Sequence, residues 1–428
     1  MLLKILSVAG ARPNLMKVAA ICEAIRALNS RAAGDEIQHV LVQIQQHSGG
    51  DSYFNDLELP KPDLCLEIGS VSRSVQTARI MERLETVIVR ERPHVVLAVG
   101  DADLTLGCGL VSKKISWPDE HGANRFIPKL AHVDAGLRSF DRSVPEEING
   151  FVTDSISDYL FTTEESASHN LLHQGVPDAQ VFFVGNVLID TFLRHRSKAQ
   201  ESTILQDLQL ADGAVVKSYA ILTLHRPANI DDSRILRRML DAFLDISKCM
   251  PILFPAHPQT LSRIQKENLS DYFVDHGIQE TEPWDARVRI RLVPQLGYLD
   301  FVRLMSEARV VLTDSGGIQD ETTMLAVPCI TLRDKTERPI TVEQGTNVLA
   351  GSNPEKIIGE FNRARDNRGK SNRSPPYWDG NAAKRIIKVL IDDFYTDRSV
   401  VARDWESEAG SKERIQSSAH AGGFLRRP

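Results

Sequence analysis

The chain has 428 residues, 25% of them charged and 42% hydrophobic, with a formal net charge of −6. That length is more than one core usually serves, so two domains of ordinary size are expected of a soluble globular protein. The negative balance gives no electrostatic reason to expect nucleic acid or an anionic membrane as partner, and no apolar run approaches the ~20 residues of a membrane span. Five cysteines, with no CxxC pair among them, fit free thiols in a reducing compartment. The apolar run in the opening MLLKILSVAG is too short for a secretory signal, so a first strand and a cytoplasmic location are expected.

Leu2 to Val8 is an apolar run that passes through Gly10, Arg12 and Pro13 into apolar residues at helical spacing from Leu15 to Leu28. A buried parallel strand entering a helix through a glycine turn opens a doubly wound domain, in which ligands bind at the carboxyl ends of the strands. Arg12 and Lys17 stand at that edge as candidate ligand contacts. A second strand, His39 to Ile44, delivers a polar, glycine-rich loop containing His47 to the same edge. After an amphipathic helix from Ser72 to Arg90, the strand Val95 to Val99 ends in Asp101, and the strand Lys129 to Val133 releases Asp134. The loop then runs on to Glu146 at the start of a helix. Each acid alone could cap a helix or complement its dipole. Three carboxylates facing one mouth exceed what capping needs, and such crowding raises the pKa of at least one of them, which makes acid/base chemistry possible near neutral pH.

The pattern pauses after Val181 to Gly185, and the polar stretch to Ser218 is expected to connect the domains. A second series follows. The strand from Tyr219 to Leu224 carries His225 and Arg226, the strand from Pro251 to Phe254 carries His257, and a third runs from Val288 to Val293. His225 and Arg226, directly after a buried strand, are candidates for contact with a phosphate or a leaving group. The series ends in VVLTDSGGIQDETTMLAVPCITLRDKTERPITVEQGT, read as strand, glycine turn, helix and strand. The glycine pair lets backbone approach a ligand, and the helix N-terminus aims N–H groups and the positive end of its dipole at the turn. Ser315, Gly316 and Gly317 therefore read as a diphosphate site, with Glu321 accepting hydrogen bonds from sugar hydroxyls. The expected class is α/β, with two Rossmann-like doubly wound domains facing across a cleft. Residues 1–190 form the first and 191–380 the second; an amphipathic helix over 381–397 packs back across them, and 398–428 is an expected disordered tail.

Taken together, the strand ends resemble the non-hydrolysing UDP-N-acetylglucosamine 2-epimerases, which have the glycosyltransferase-B fold. The segments that carry the resemblance are GARPNLMK, GDADLTLG, HVDAGLRSFDRSVPEEING, FVGNVLIDT, LTLHRPANID, FPAHPQT, LVPQLGYLDF, DSGGIQDE and RDKTERPITVEQGT, in family order over roughly residues 1 to 395. The resemblance implies a UDP-sugar in the interdomain cleft, touching Arg12, Lys17, Asp101, Asp134, His225, Phe301, Ser315, Gly316, Gly317, Glu321 and Arg338. Phe301, which follows Tyr298, becomes a wall near uracil. It also implies a homodimer, no metal, hydride or redox cofactor, and elimination of UDP across C1 and C2 to a 2-acetamidoglucal followed by re-addition. Asp101, Asp134, Glu146 and His225 are the catalytic candidates, with His47 and His257 near the ligand.

The chain departs from the family pattern at Asp134, usually Glu, at Gly150, usually Arg, and at Ala228, usually an acid. These departures leave open a hydrolysing epimerase releasing UDP and free sugar, an epimerase of another UDP-sugar, a glycosyltransferase of the same fold, and a UDP-sugar binder without turnover.

Overall fold

Continuous apolar runs build the strands. Val95–Val99 and Val310–Thr313 are buried along their whole lengths, as parallel strands are when helices cover both sheet faces. The computed structural model describes residues 2–10, 12–31, 36–45, 52–69, 71–118, 125–213, 215–275, 290–366 and 373–396, and places these strands in two seven-stranded sheets. His47 and the expected tail over 398–428 lie outside the described residues.

The first sheet holds β1 (Leu3–Ala9), β2 (Ile37–Gln45), β3 (Leu64–Glu67), β4 (Val95–Val99), β5 (Lys129–Val133), β6 (Tyr159–Thr162) and β7 (Val181–Phe183). Their spatial order is β3-β2-β1-β4-β5-β6-β7. The second holds β8 (Ala220–Thr223), β9 (Ile252–Pro255), β10 (Phe273–Asp275), β11 (Ile290–Val293), β12 (Val310–Thr313), β13 (Cys329–Thr331) and β14 (Asn347–Leu349), in the order β10-β11-β9-β8-β12-β13-β14. The strands in both pair in parallel, with Ile5 opposite Val95 in one and Ala220 opposite Val310 in the other. Strand order reverses between β1 and β4 and again between β8 and β12. At such switch points the loops diverge and leave a crevice beyond the carboxyl ends. The two doubly wound halves of the glycosyltransferase-B type are therefore present, and the first helix of each crevice, Arg12–Asn29 and Gly316–Leu325, starts at its edge.

One segment differs from the sequence expectation. The stretch after Gly185 is a helix, Val187–Ala199, started by Asn186, whose side chain accepts a hydrogen bond from Leu188 N at 2.9 Å. Val187, Leu188 and Phe192 join the core of the first half, while Asn186 Nδ2 donates to Asp320 of the second half at 3.0 Å. A helix packed on two sides buries residues around most of its circumference and shows no single apolar stripe, so its pattern reads as a pause. The helix over 382–396 returns to the first half: Ala382, Ala383, Ile386, Ile387 and Leu390 join the same core as β1 and β5. Asp190 accepts from Ala382 N and Ala383 N at 3.1 and 2.7 Å and so supplies the cap of that helix. No described helix is long and apolar enough to cross a membrane.

Candidate active site

On the first side of the cleft, β4 and β5 each end in a turn that aims an acid outward. Gly100 has φ +77° and leads into Asp101, while Asp134 itself takes φ +69°. A non-glycine residue in this left-handed region is uncommon, and such conformations persist where surrounding structure enforces them. Lys17, from the first helix, forms an ion pair with Asp134, and Arg338 Nη2 reaches it from the other half at 3.8 Å. Burial works against ionisation of Asp134, but Lys17 and then Arg338 outweigh it and hold the carboxyl below the usual carboxylate range. Asp101 is moved the opposite way. It is open to the water in the cleft but crowded by protein atoms, and this desolvation, with Glu337 and Glu146 adding to it and Lys17 opposing, raises its pKa. A substrate that displaces that water strengthens the effect. Glu146 stands further out and pairs with Arg73 Nη2 at 2.9 Å, whereas its neighbour Glu147 is a loop clamp, accepting from Ser139 N and Oγ at 2.8 Å and from Phe140 N at 3.1 Å.

Beneath these acids lies a buried charge network. Asp154, 2% exposed, accepts from Arg138 Nη2 at 2.6 Å and Gly136 N at 3.1 Å, and its other oxygen lies 2.6 Å from His132 Nδ1. His132 Nε2 faces the carbonyl of Gly100 at 2.8 Å. Both ring nitrogens thus face acceptors, which suits the imidazolium. Burial opposes that charge, but Asp154 more than compensates and raises the His132 pKa. The network ties the turn that carries Asp101 to the loop that follows Asp134.

The second side supplies cations and backbone N–H groups. Asp314, fully buried after β12, accepts from His225 N at 3.0 Å and Arg226 N at 2.9 Å, and from His225 Nδ1 at 2.9 Å. Despite its burial, these donors hold Asp314 below the usual carboxylate range. Donation through Nδ1 leaves His225 Nε2 as the acceptor nitrogen of the neutral ring. Ser315 precedes the helix Gly316–Leu325, whose N-terminus lies against Glu337. A Cβ added to Gly316 would come within 2.5 Å of Glu337 Oε1, whereas one on Gly317 would meet Leu188 Cδ2 at 3.4 Å. The close approach that demands glycine is therefore at Gly316. Glu337 is bound by Arg333 Nη2 at 2.6 Å and faced by Arg226 Nη2 at 3.7 Å; burial opposes its charge, but Arg333 above all lowers its pKa to about 2. Two arginines, Arg226 and Arg333, share that one carboxylate and leave one positive charge in excess beside the helix N-terminus, while Arg338 answers Asp320 and Asp134. Such an arrangement suits a diphosphate.

Lys17, Asp101, Asp134, Glu146, Arg226 and Arg338 line one cleft between the halves. Other candidates lie deeper or to the side. Glu321 is 3% exposed and accepts from Tyr298 OH at 3.0 Å; burial, with Asp320 adding, pushes its pKa up to about 8. Tyr298 is itself buried, and Phe301 is half-buried against the core of the second half. His257 begins the helix Pro258–Lys266, accepting from Gln259 N at 3.3 Å, and its ring lies 6.4 Å from that of His225. Arg12 is the first residue of its helix.

The residues the sequence did not single out are His132, Arg138, Asp154 and Asp320, and Arg333 and Glu337 counted only within the density of charge that follows the glycine turn. Asp320, fully buried, binds Arg338 Nη1 at 2.7 Å and accepts from Asn186, so it aims Arg338 across the cleft at Asp134. Its burial raises its pKa to about 6. Only a density of charge after β13 and an apolar strand interrupted by His132 hinted at these groups.

Over most of its length the chain is similar to known proteins. The family model described as UDP-N-acetylglucosamine 2-epimerase matches residues 29–391. A UDP-N-acetylglucosamine 2-epimerase of Methanocaldococcus jannaschii is 35% identical, over 91% of this chain and 99% of the relative. A UDP-2,3-diacetamido-2,3-dideoxy-D-glucuronate 2-epimerase of Pseudomonas aeruginosa is 32% identical, over 91% of this chain and 99% of its own. The crystal structure of the Methanocaldococcus jannaschii UDP-GlcNAc 2-epimerase in complex with UDP-GlcNAc and UDP superposes with a TM-score of 0.76 at 34% identity, covering 90% of this chain and 99% of that one.

Proposed function

We propose, for a chain that belongs to the UDP-N-acetylglucosamine 2-epimerase family, that it interconverts UDP-N-acetylglucosamine and UDP-N-acetylmannosamine in the cleft between its two halves. The observation that carries this reading is the division of that cleft: carboxylates on one side, and arginines with a helix N-terminus on the other.

The chemistry follows from what C2 of the sugar lacks. No carbonyl adjoins it, so deprotonation alone would leave an unstabilised carbanion. Departure of UDP from C1 supplies the outlet: one carboxylate takes the C2 proton, the C1–O bond to UDP breaks, and the electrons of the C–H bond become the C1=C2 bond of a 2-acetamidoglucal. Re-addition of UDP at C1, with a proton delivered to the other face of C2, completes the inversion. Asp134, kept ionised by Lys17 and Arg338, suits the proton acceptor, and Asp101, with its raised pKa, suits the donor. Glu146 stands at the mouth for proton exchange with solvent. Arg226, Arg338, His225 and the Ser315–Gly317 turn hold UDP between departure and return. Arg12 and His257 border the diphosphate, and Tyr298 and Phe301 back the nucleoside, with Glu321 turned to the ribose. A split of the chain beyond the Val187–Ala199 helix rather than at residue 190, a homodimer, a cytoplasmic location and a product used for surface polysaccharide belong to the same proposal.

Incubation with UDP-N-acetylglucosamine in D2O tests it directly by proton NMR. UDP-N-acetylmannosamine carrying deuterium at C2 is the expected product. Free N-acetylmannosamine with UDP would move the chain to the hydrolysing reaction, and bound ligand without exchange at C2 would overturn the assignment.

A further inference from the structure

His132 is 1% exposed, yet it interrupts the apolar strand β5. Its ring is engaged at both nitrogens: Nδ1 lies 2.6 Å from Asp154 Oδ1, and Nε2 lies 2.8 Å from the Gly100 carbonyl. A neutral imidazole has one donor and one acceptor nitrogen, so in either tautomer a lone pair would face an oxygen. The carbonyl has no proton to give. Asp154 could lend one, but its other oxygen accepts from Arg138 Nη2 at 2.6 Å and from Gly136 N at 3.1 Å, as an ionised carboxylate does. Burial opposes the Asp154 charge, but His132 and Arg138 outweigh it and hold the carboxyl below the usual range. The geometry leaves the doubly protonated ring. With one negative charge on Asp154 and one positive charge each on His132 and Arg138, the network carries a net positive charge inside the first half.

That charge bears on Asp134, two residues along the chain. The charged groups facing His132 are Asp154, from the helix Pro145–Ile156, and Asp134, with Arg138 beyond Asp154. Lys17 and Arg338 also hold Asp134, but both line the cleft, and a diphosphate entering it competes for them. His132 cannot turn away, because both its N–H groups are committed elsewhere, and it acts on Asp134 through charge alone. We propose that His132 is a positioning residue for the reaction: a fixed imidazolium that keeps Asp134 ionised once a diphosphate draws Lys17 and Arg338 away, and that holds the Gly100 carbonyl so that the turn presents Asp101. This inference rests on the epimerase reading, in which Asp134 takes the C2 proton, and goes further in naming the charge that prepares it.

Two variants separate charge from hydrogen bonding. His132→Gln can keep the bond to the Gly100 carbonyl and His132→Asn the bond to Asp154, while both lose the charge. In the full chain with UDP bound, nitrogen-15 NMR of the imidazole is expected to show both nitrogens protonated between about pH 6 and pH 8; a neutral ring at about pH 7 would overturn the proposal. With carbon-13-labelled aspartate, the Asp134 carboxyl, identified by its loss in Asp134→Asn, should titrate about one pH unit higher in both variants than in the parent, and the acid limb of kcat/KM for C2 epimerisation should move up with it. A merely structural role would lower kcat without moving that limb. Folded variants in which Asp134 titrates as in the parent, or a parent profile restored by glutamine alone, would likewise overturn the proposal. If both variants unfold, Lys17→Met takes their place: with UDP bound, Asp134 is expected to titrate below about 4 there, and a higher value counts against His132. Absence of turnover by the parent would defeat the epimerase reading, while the ring protonation and the Asp134 titration would still decide the charge.

Discussion

The two halves of this molecule share a scaffold and differ in what their strand ends deliver. In the first, β4 and β5 lead to Asp101 and Asp134; in the second, β8 and β12 lead to His225, Arg226 and the Ser315–Gly317 turn. The buried acid of each half has the opposite duty. Asp134 faces the cleft and is kept charged by cations from both halves, whereas Asp314 faces away and orders the His225 and Arg226 backbone. The lesson is that the doubly wound sheet decides where a side chain is presented, and its local partners decide which protonation state it presents.

The largest effect is expected where the halves meet. Arg338 is 5% exposed and answers Asp320 and Asp134 together, so Arg338→Met leaves buried Asp320 without its cation and Asp134 with Lys17 alone. Breaking such a network costs about 3–5 kcal/mol, read as a lowered denaturation midpoint together with lost turnover. A variant as stable as the parent would mean that the halves are independent. Next is Asp101→Asn, which should reduce kcat by about a thousandfold while UDP affinity, measured by calorimetry, stays within a few fold, because proton transfer and diphosphate binding lie on opposite sides. Equal loss of both would dissolve the division of labour between them.

Glu321→Gln probes the second half by pH. The folded pKa of this acid is raised from 4.5 to about 8, so the folded state holds its proton more tightly than the unfolded state does. Its unfavourable contribution is absent below pH 4.5, grows as pH rises through the window to about 8, and is constant above it. The variant should therefore gain stability over the parent with rising pH, reaching up to about 5 kcal/mol by pH 9 in urea denaturation. A difference independent of pH would show that Glu321 is already ionised when folded. The smallest effect separates two adjacent glycines. Gly316→Ala must displace Glu337 and should weaken UDP binding about tenfold, one such factor being about 1.4 kcal/mol, whereas Gly317→Ala, against the end of Leu188, should weaken it less. Titration calorimetry gives the order, and a larger loss at Gly317 would place the phosphate on the other side of the turn.

By itself the sequence determined the class of fold, because an apolar run, a glycine turn and a helical period are local signals, repeated along both halves. It also located Asp101, Asp134, His225, Arg226 and the Ser315–Gly317 turn, since a polar residue directly after a buried strand must emerge at the carboxyl edge. The Val187–Ala199 helix escaped notice because it packs against both halves and shows no single stripe. Tertiary structure alone brought Asp154 to His132, 22 residues away, and Asp320 to Asn186, 134 residues away. It likewise assigned Lys17 to Asp134 and left Glu147 as a clamp while Glu146 pairs with Arg73. Charge is written residue by residue, but a pKa or a void is a property of the neighbours, and those are set only when distant strands and helices pack.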